Sequence, residues 1–272
     1  PLPAPGRIAG GLLVLAACLW RPAPLDAGAV RFTMLDVGQG LAAVVETRAH
    51  VLVYDTGPTF RSGSDAGAMA VEPYLRHQAL RRVDRLVASH DDLDHSGGAE
   101  SVARLVPVRE LVASGAALDA VGSVARCRLG RRWEWDGVTF EWLHPGAEPF
   151  EKDNDNSCVL RVSTGPHAIL LTGDIERRAE AELLDRSPPG RVDILLVPHH
   201  GSRTSSTPPF VAATRPHWAL VPSGHRNRWG FPKPDVVARW EAAGATVLVG
   251  SATGAIEFEL HPQRAIAPPQ LW

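Results

Sequence analysis

Four short apolar segments of the chain end in the same way, because each runs into a loop that carries aspartate or histidine. They are Val53-Tyr54-Asp55-Thr56-Gly57, Val87-Ala88-Ser89-His90, Leu170-Leu171-Thr172-Gly173-Asp174 and Leu196-Val197-Pro198-His199-His200. Brief runs of Val and Leu bounded by Gly, Pro or Asp are typical of buried β-strands. Polar side chains at the ends of such strands can converge while the strands hold them in place. We therefore predict a single site built from these four segments.

The rest of the chain predicts a mixed α/β protein with many strands. Short runs rich in Val, Leu and Ile predict strands at 30–35, 42–46, 51–54, 86–88, 110–112, 138–142, 158–162, 168–172, 194–197, 218–221, 246–249 and 255–259. Apolar residues spaced by three and four positions predict helices at 70–81, 97–105, 177–184, 208–214 and 234–243.

Composition excludes two broad classes of protein. Hydrophobic residues make up 44% of the 272 positions, which is too much for a globally disordered chain. Lys and Arg number 28 against 30 Asp and Glu, so a general polybasic coat for nucleic acid is excluded, although a local basic patch is not. Cys18, Cys127 and Cys158 have no C-x-x-C spacing, so we expect neither a disulfide framework nor a thiolate zinc site.

An apolar run at 8–20 precedes this body of strands and helices. Because the chain starts at Pro1 without an initiator methionine, we expect a piece of a longer protein. The run would form about 20 Å of helix, which is short of the roughly 20 residues that span a bilayer. The end of a membrane helix is favoured over a signal sequence or a buried helix. We divide the chain into a membrane tail and linker at 1–29, one domain at 30–264 and a C-terminal tail at 265–272.

The segment from His90 to His95 is the densest cluster of chemistry in the sequence. It places two imidazoles and three carboxylates within six positions, directly before Ser96 and two glycines. Unpaired carboxylates this close would repel one another, and a divalent cation is the simplest compensating charge. The alternative is a solvated acidic loop in which Asp94 and Ser96 cap the following helix. The other three strand ends favour the metal site.

The pattern His90-x-Asp92-x-Asp94-His95 resembles the H-x-H-x-D-H motif of the metallo-β-lactamase superfamily, with Asp in place of the second His. Three further features of that superfamily have matches in this sequence, namely its upstream structural aspartate, its bridging carboxylate and its final histidine ligand. They are Asp55, Asp174 and the His199-His200 pair. The resemblance implies a four-layer αββα sandwich.

Further motifs narrow the resemblance to the C-terminal domain of ComEC-type competence DNA-uptake channels. They are Leu35-Asp36-Val37-Gly38-Gln39-Gly40, Asn154-Asp155-Asn156-Ser157, Val197-Pro198-His199-His200-Gly201-Ser202 and Asn227-Arg228-Trp229-Gly230-Phe231-Pro232, together with the Asp-for-His variant. The match covers about 30–260 in the expected order. An apolar membrane segment ahead of the domain also fits that family.

The ligand types predict two divalent metal ions. The six expected ligands are His90, Asp92, Asp94, His95, Asp174 and His200. The first two would hold one ion, the next two and His200 would hold the other, and Asp174 would be shared. Two such ions, about 4 Å apart, could hold a bridging hydroxide and clamp both oxygens of a phosphodiester.

The identity of the metal depends on how many imidazoles the site has. The superfamily's third histidine has no equivalent here, and Asn154 or Asn156 stands where it is expected. Because oxygen ligands suit manganese or magnesium better than zinc, manganese is favoured and zinc is the alternative.

The two adjacent histidines require separate roles if they lie on a strand, because neighbouring strand side chains point in opposite directions. We expect His200 to bind metal and His199 to act as a phosphate donor or leaving-group acid, unless His199 is simply packed. We also expect Asp94 to orient or deprotonate the attacking water. The other seven histidines show no ligand spacing.

Two segments are candidates for contact with substrate. Segment 201–206 offers hydroxyls and backbone N–H groups such as those at Ser202, although a capped helix start would look the same. Segment 225–233 mixes cations with aromatics and could hold a single strand through Arg228 and Lys233, although a solvated basic loop is the alternative. Phe231 stands where the family often has histidine. Asn156 is the fourth expected substrate contact.

Three residues are expected to orient ligands rather than to bind metal. Asp36 and Gln39 follow the first strand, and Asp55 follows the third. A purely structural turn is the alternative for the first two. The neighbouring Gly38 and Gly40 predict positive φ angles or a close backbone approach to the metal loop.

These expectations combine into a functional hypothesis. The resemblance implies a metal-dependent DNA phosphodiesterase attached to a bacterial inner-membrane channel, on its extracytoplasmic face, which cuts the strand that is not imported. The implied partners are single-stranded DNA, the upstream channel domain of the same protein and other uptake machinery. The alternatives are a non-catalytic DNA-docking module and another hydrolase of the superfamily.

Overall fold

The computed structural model describes residues 24–272, so the apolar run at 8–20 lies outside the described residues. Within that range the strands are β1 (Val30–Met34), β2 (Ala42–Glu46), β3 (Val51–Thr56), β4 (Val83–Ala88), β5 (Val108–Ala113), β6 (Val124–Arg126), β7 (Arg132–Trp135), β8 (Val138–His144), β9 (Val159–Thr164), β10 (His167–Leu171), β11 (Ile194–Leu196), β12 (Trp218–Val221), β13 (Thr246–Val249), β14 (Ile256–Leu260) and β15 (Gln270–Leu271).

The α-helices are short and lie between strands. They are α1 (Glu72–His77), α2 (Leu93–Ser96), α3 (Ala99–Leu105), α4 (Arg177–Arg186), α5 (Pro208–Thr214), α6 (Pro234–Ala242) and α7 (Gly250–Thr253). A π-helical turn at Gly67–Val71 precedes α1, and single 3₁₀ turns lie at Asn154–Asn156 and Pro198–Gly201.

The strands form two sheets. One sheet has the order β15-β14-β1-β2-β3-β4-β5-β6, and the other has the order β13-β12-β11-β10-β9-β8-β7. A central apolar core that includes Phe32 and Phe140 lies between the sheets. Two outer cores pack helices on the sheets, one through Leu75 of α1 and the other through Trp240 of α6. The predicted α/β sandwich of the αββα type is confirmed.

Each sheet contains a parallel part, and these parts position the site. β3 pairs with β4 in parallel, and β10, β11 and β12 pair in parallel in the other sheet. Since parallel strands end at the same edge of a sheet, the loops after β3 and β4 emerge together, as do those after β10 and β11. Asp55, His90, Asp174 and His200 lie at or just after these four strand ends.

The chain departs from the predicted elements in several places. The helix expected at 70–81 ends at His77, and Ala79 has a positive φ of 57°. Strands β6 and β7 form where the sequence predicts loop. Residues 265–272 are expected to be a tail, but Gln270 pairs with Glu257 and adds β15 to the first sheet. Hydrogen bonding to an exposed sheet edge explains this difference, because it requires no apolar pattern.

Cys127 and Cys158 form a single disulfide, which the spacing of the cysteines did not predict. The two residues are 31 positions apart and both are buried in the core between the sheets. Cys127 follows β6 and Cys158 precedes β9, so the bond connects one sheet to the other. Spacing could not reveal this pair, because only the stacking of the sheets brings the two thiols together.

Candidate metal centre

A fully buried aspartate organises the loop that carries His90 and His95. Asp55 accepts hydrogen bonds from the backbone N–H of Ser89 (2.6 Å) and from the Ser89 hydroxyl (2.8 Å). Its Oδ2 also lies 2.8 Å from Nδ1 of His95. The Ser89 hydroxyl lies 2.9 Å from Nδ1 of His90. Through these bonds Asp55 fixes both imidazoles with their Nε2 atoms free to face the site, as expected of a residue that orients ligands.

The Nε2 atoms of these histidines converge with groups from the other sheet. Two overlapping sets of potential metal ligands result, and within each set the ligand atoms lie within 4.8 Å of one another. The first set is His90, His95 and Asp174, and the second is Asp94, His95 and His200. The segments predicted from the sequence to meet therefore do meet.

Asp174 contacts the imidazoles of both neighbouring ligands. Its Oδ1 lies 3.2 Å from Nε2 of His95, and its Oδ2 lies 3.3 Å from Nε2 of His200. Nδ1 of His200 donates to the carbonyl oxygen of Pro222 (2.7 Å), which leaves Nε2 for the site. Oδ2 of Asp94 lies 3.3 Å from the same Nε2 atom.

Two features show that this donor set fits a metal ion. Nε2 of His90 is buried and has no hydrogen-bond partner among the described residues, although buried polar atoms are nearly always paired. Nε2 of His95 lies 3.2 Å from Nε2 of His200, so two ring nitrogens face each other between carboxylates. Imidazole nitrogens and carboxylate oxygens in such an arrangement are ordinary ligands of divalent cations.

The electrostatics of the site also favour the binding of a cation. Burial alone would lower the pKa of His200, but the Asp174 carboxylate and its hydrogen bond raise that pKa to about 9. The pKa of His95 is likewise raised well above its usual value, because the charges of Asp174 and Asp55 outweigh burial. The same contacts hold the pKa of Asp174 far below its usual range despite its burial. Buried carboxylates thus draw positive charge into the centre, and a divalent ion supplies that charge directly.

Asp92 and His199, two further residues predicted for the site, lie at its margin. Asp92 belongs to neither set, and its side chain is 57% exposed, with Oδ2 3.7 Å from Nε2 of His90. His199 is also outside both sets, and its Nε2 lies 3.9 Å from Oδ2 of Asp174. Nδ1 of His199 lies 3.0 Å from the Thr204 hydroxyl and 3.4 Å from Glu176.

The two adjacent histidines diverge for a different reason from the one expected. They do not lie on a strand but in the turn Pro198–Gly201, with left-handed φ angles of 50° at His199 and 54° at His200. Left-handed conformations are uncommon for residues other than glycine and cluster at functional sites. The turn directs His200 into the second ligand set and leaves His199 at the rim.

Two of the expected substrate contacts are occupied with holding loops. The amide of Asn156 accepts from the Phe150 N–H (2.8 Å) and donates to the carbonyl oxygens of Phe150 (3.0 Å) and Lys152 (3.1 Å). Ser202 is buried, and its hydroxyl accepts from the Thr204 N–H at 3.3 Å. The structure therefore gives both side chains a structural role, because their polar atoms already have partners.

Segment 225–233 presents cations and aromatic rings beside the centre. The guanidinium of Arg228 lies 4.2 Å above the ring of Trp229, which is 42% exposed. The ring of Phe231 packs against both His199 and His200. Lys233 donates from Nζ to the carbonyl oxygen of Trp229 (2.6 Å).

The loop between β1 and β2 carries Asp36 and Gln39. It approaches the loop of His90 and His95, called here the metal loop, through its backbone rather than through these two side chains. Asp36 accepts from the N–H of Gly38 in its own turn (3.0 Å), and Gln39 accepts from the N–H of Gly224 (3.2 Å). Neither contacts a ligand side chain, so the expectation that they orient ligands is corrected. A Cβ at Gly40 would lie 2.2 Å from the carbonyl oxygen of Asp94, which shows the expected close approach.

Sequence reasoning missed several residues that support the site. Ser89 links Asp55 to His90, and Glu176 and Thr204 hold His199. Asp155 is buried and accepts from the Glu176 N–H (2.8 Å) at the start of α4. The available signal was position in the sequence, because Ser89 directly precedes the expected ligand His90 and Asp155 directly precedes the expected substrate contact Asn156.

Among residues 24–272, no helix has the length and apolar character needed to cross a membrane.

Comparisons with known proteins agree with this architecture. Residues 35–225 match the family model of the metallo-beta-lactamase superfamily. Competence protein ComA of Neisseria gonorrhoeae is 35% identical over 250 residues, which cover 92% of this chain and 35% of that protein. Recombination protein 2 of Haemophilus influenzae is 35% identical over 230 residues, covering 85% and 29%. The chain thus spans about a third of the length of these relatives.

Igni18, a metallo hydrolase from Ignicoccus hospitalis, shares the fold with a TM-score of 0.56 at 16% identity, covering 85% of this chain and 100% of that one. The resemblance to competence proteins that the motifs indicated is confirmed by the sequence relatives. With its αββα sandwich, its converging His and Asp side chains and its match over residues 35–225, the chain belongs to the metallo-beta-lactamase superfamily.

Proposed function

We propose that this domain hydrolyses phosphodiester bonds of DNA with the help of two divalent ions, preferably manganese. The observation that carries the proposal is the pair of overlapping ligand sets that share His95. His90, His95 and Asp174 would hold one ion, with Asp92 completing its coordination from the rim. Asp94, His200 and the shared carboxylate of Asp174 would hold the other, because the single free nitrogen of His95 can bind only one ion. When bound, such ions lower the pKa of a water ligand and neutralise charge on the phosphoryl oxygens.

We propose that two partly exposed side chains, those of Asp94 and His199, move protons in this reaction. The carboxylate of Asp94 is 29% exposed and can orient an attacking water and accept its proton. His199 is 21% exposed, and Glu176 and Thr204 engage its Nδ1, so Nε2 is available to protonate the leaving oxygen. Proton transfer to or from water requires a side chain that reaches solvent. His90 and His95 are buried, so they are assigned to metal binding instead.

The relatives' names and the disulfide support a setting for this reaction. Two relatives are called a competence protein and a recombination protein, and each is about three times as long as the matched region. We propose that the domain is attached to a DNA-uptake channel and cuts the strand that is not imported. Disulfides persist in oxidising compartments, so the Cys127–Cys158 bond supports the extracytoplasmic face of the bacterial inner membrane.

A non-catalytic DNA-docking module is the second candidate. It is favoured by Asn156, which stands where the superfamily's third histidine is expected and which only holds its own loop. Docking would require DNA binding without the metal-dependent chemistry.

Cleavage of labelled oligonucleotides separates these candidates. We expect the purified protein with Mn²⁺ to cut a fluorescein-labelled DNA strand and the Asp174→Asn variant to fall to the rate without protein. His217→Gln, an exposed histidine outside the site, serves as the matched control. Tight binding without cleavage, equal in wild type and Asp174→Asn, would instead establish docking. Hydrolysis of a lactam but not of a bis-nitrophenyl phosphate would assign another reaction of the superfamily.

A further inference from the structure

An arginine-lined groove runs beside the loop that carries His90. Its volume is about 760 Å³, and its wall includes Gly115, Arg128, Pro145 and Arg186. The proposed chemistry at the metal centre does not use any of these residues. The groove is open to solvent, and its volume lies within the range of pockets that hold ligands.

The groove wall is bonded to the metal loop on both sides of His90. On one side, the Ser114 hydroxyl donates to the carbonyl oxygen of Ser89 (2.7 Å). On the other side, the carboxylate of Asp91 accepts from the N–H groups of Ala116 (2.9 Å) and Ala117 (2.7 Å). This side of the groove is therefore held in a fixed position relative to His90.

The disulfide adds a third link between the groove and the centre. Cys127 lies between Arg126 and Arg128, and its partner Cys158 donates from its N–H to the carbonyl oxygen of Ser89 (2.9 Å). The backbone that presents Arg128 is thus covalently tied to a residue that touches the metal loop.

Among the described residues, the charges around the groove leave Arg128 without a partner and Arg186 only loosely paired. Arg126 is used internally, because it pairs with Asp119 at 3.2 Å. The side chain of Arg128 is exposed and forms no hydrogen bond or ion pair with the residues that the structure describes, and Arg186 has only Glu182 at 3.9 Å. The carboxylate of Asp153, the acidic residue of the wall, is engaged by the Asp91 N–H, from which it accepts at 2.7 Å.

We propose that this groove holds the phosphodiester backbone of a nucleic-acid strand whose scissile phosphate lies at the metal centre. The inference rests on the proposed function and names where the strand runs. Arg128 and Arg186 contact phosphates, so binding here is independent of base sequence. Guanidinium groups suit this task because they pair with phosphate oxygens through two parallel hydrogen bonds.

The salt dependence of binding tests the groove directly. Fluorescence anisotropy of a labelled oligodeoxythymidine is measured across a range of NaCl concentrations, with Ca²⁺ present to neutralise the acidic centre. Removing one cation that pairs with a phosphate should reduce the slope of log K against log salt by about 0.7 for a single strand. We expect this reduction, with weaker binding, in Arg128→Gln and in Arg186→Gln. Arg76→Gln, an exposed arginine of α1 outside the groove, should match wild type.

The alternatives give distinct results. On the other side of the 149–157 loop, Arg178 and Lys152 line a second basic pocket. If Arg178→Gln lowers the slope and both groove variants do not, the strand runs there and the proposal is overturned. Wild-type protein with no affinity for the strand would overturn it as well. Because the assay measures binding alone, a protein that binds through the groove but never cleaves would refute the proposed function and leave the groove intact.

Discussion

Nδ1 of His95 lies 2.8 Å from Oδ2 of Asp55, and both side chains are fully buried. The same carboxylate accepts two hydrogen bonds from Ser89, so one residue sets the orientation of both histidines in the metal loop. The site therefore depends on an aspartate that belongs to neither ligand set.

Replacing Asp55 tests this dependence. Asp55→Asn keeps the size of the side chain but replaces an acceptor oxygen with a donor, so it cannot receive all three bonds. We expect metal affinity to fall about 10- to 100-fold, which is typical when a residue that orients ligands is removed. Isothermal titration with Mn²⁺ measures it. Asp36→Asn is the matched control, since that carboxylate only closes its own turn, and equal losses in both variants would contradict the assigned role.

A second prediction separates proton transfer from metal binding. His199→Gln removes the acid at the rim but leaves both ligand sets complete. We expect the rate of DNA cleavage to fall about 10²- to 10⁴-fold, as for other general acids, with Mn²⁺ affinity unchanged. Steady-state cleavage and metal titration on the same preparation give both values. Loss of metal together with activity would mean that His199 is a ligand.

The sequence was sufficient to predict which segments meet, but less informative about how each residue serves the site. Asp174 and His200 follow strands whose apolar character is plain, so their convergence with His90 could be expected. From the sequence, Asp36 could either orient a ligand or close its own turn. Asn156 could either contact substrate or hold its own loop. Only the positions of Gly38 and Phe150 decide that these side chains hold their own loops.

Short edge strands and the disulfide escaped prediction for related reasons. The sequence of β7 is Arg-Trp-Glu-Trp, in which charged residues alternate with tryptophan. It therefore lacks the apolar run that marked the buried strands. Trp133 of this strand is held by contacts from another part of the chain, because the guanidinium of Arg85 lies 3.9 Å above its ring. The Cys127–Cys158 bond likewise depends on how the two sheets stack, which no local pattern encodes.

The disulfide should contribute to stability. It closes a loop of 31 residues, and the chain-entropy model assigns about 3–4 kcal/mol to a loop of that length. We expect the Cys127→Ser/Cys158→Ser double variant to lose roughly that much free energy of unfolding in urea, and a reducing agent to destabilise only the wild type. Identical unfolding of the wild type with and without reductant would show that the bond contributes nothing.

The hydrogen bonds that Asp136 accepts from a neighbouring turn predict how the stability of the protein depends on pH. Asp136, between β7 and β8, accepts from the Thr47 hydroxyl (2.6 Å), the Ala49 N–H (2.8 Å) and Nδ1 of His50 (3.0 Å) in the turn between β2 and β3. Burial opposes ionisation, but these hydrogen bonds hold the pKa of Asp136 below its usual value.

Since the folded pKa of Asp136 is depressed, its contribution to stability is present above the unfolded value of about 3.9 and is lost as the pH falls through the folded value. The difference in free energy of unfolding between wild type and Asp136→Asn should therefore shrink as the pH falls below about 4. Urea unfolding at several pH values measures it. A difference that grows as the pH falls from about 4 to 2 would refute the assignment.

The metal content of the protein tests the central claim most directly. After saturation with Mn²⁺ and removal of free ion, elemental analysis should find two equivalents of metal in the wild type and a loss of metal in both His90→Ala and Asp174→Ala. His217→Ala should retain both ions. A wild-type protein that binds no divalent ion, or that binds the same amount after either ligand is removed, would contradict the account.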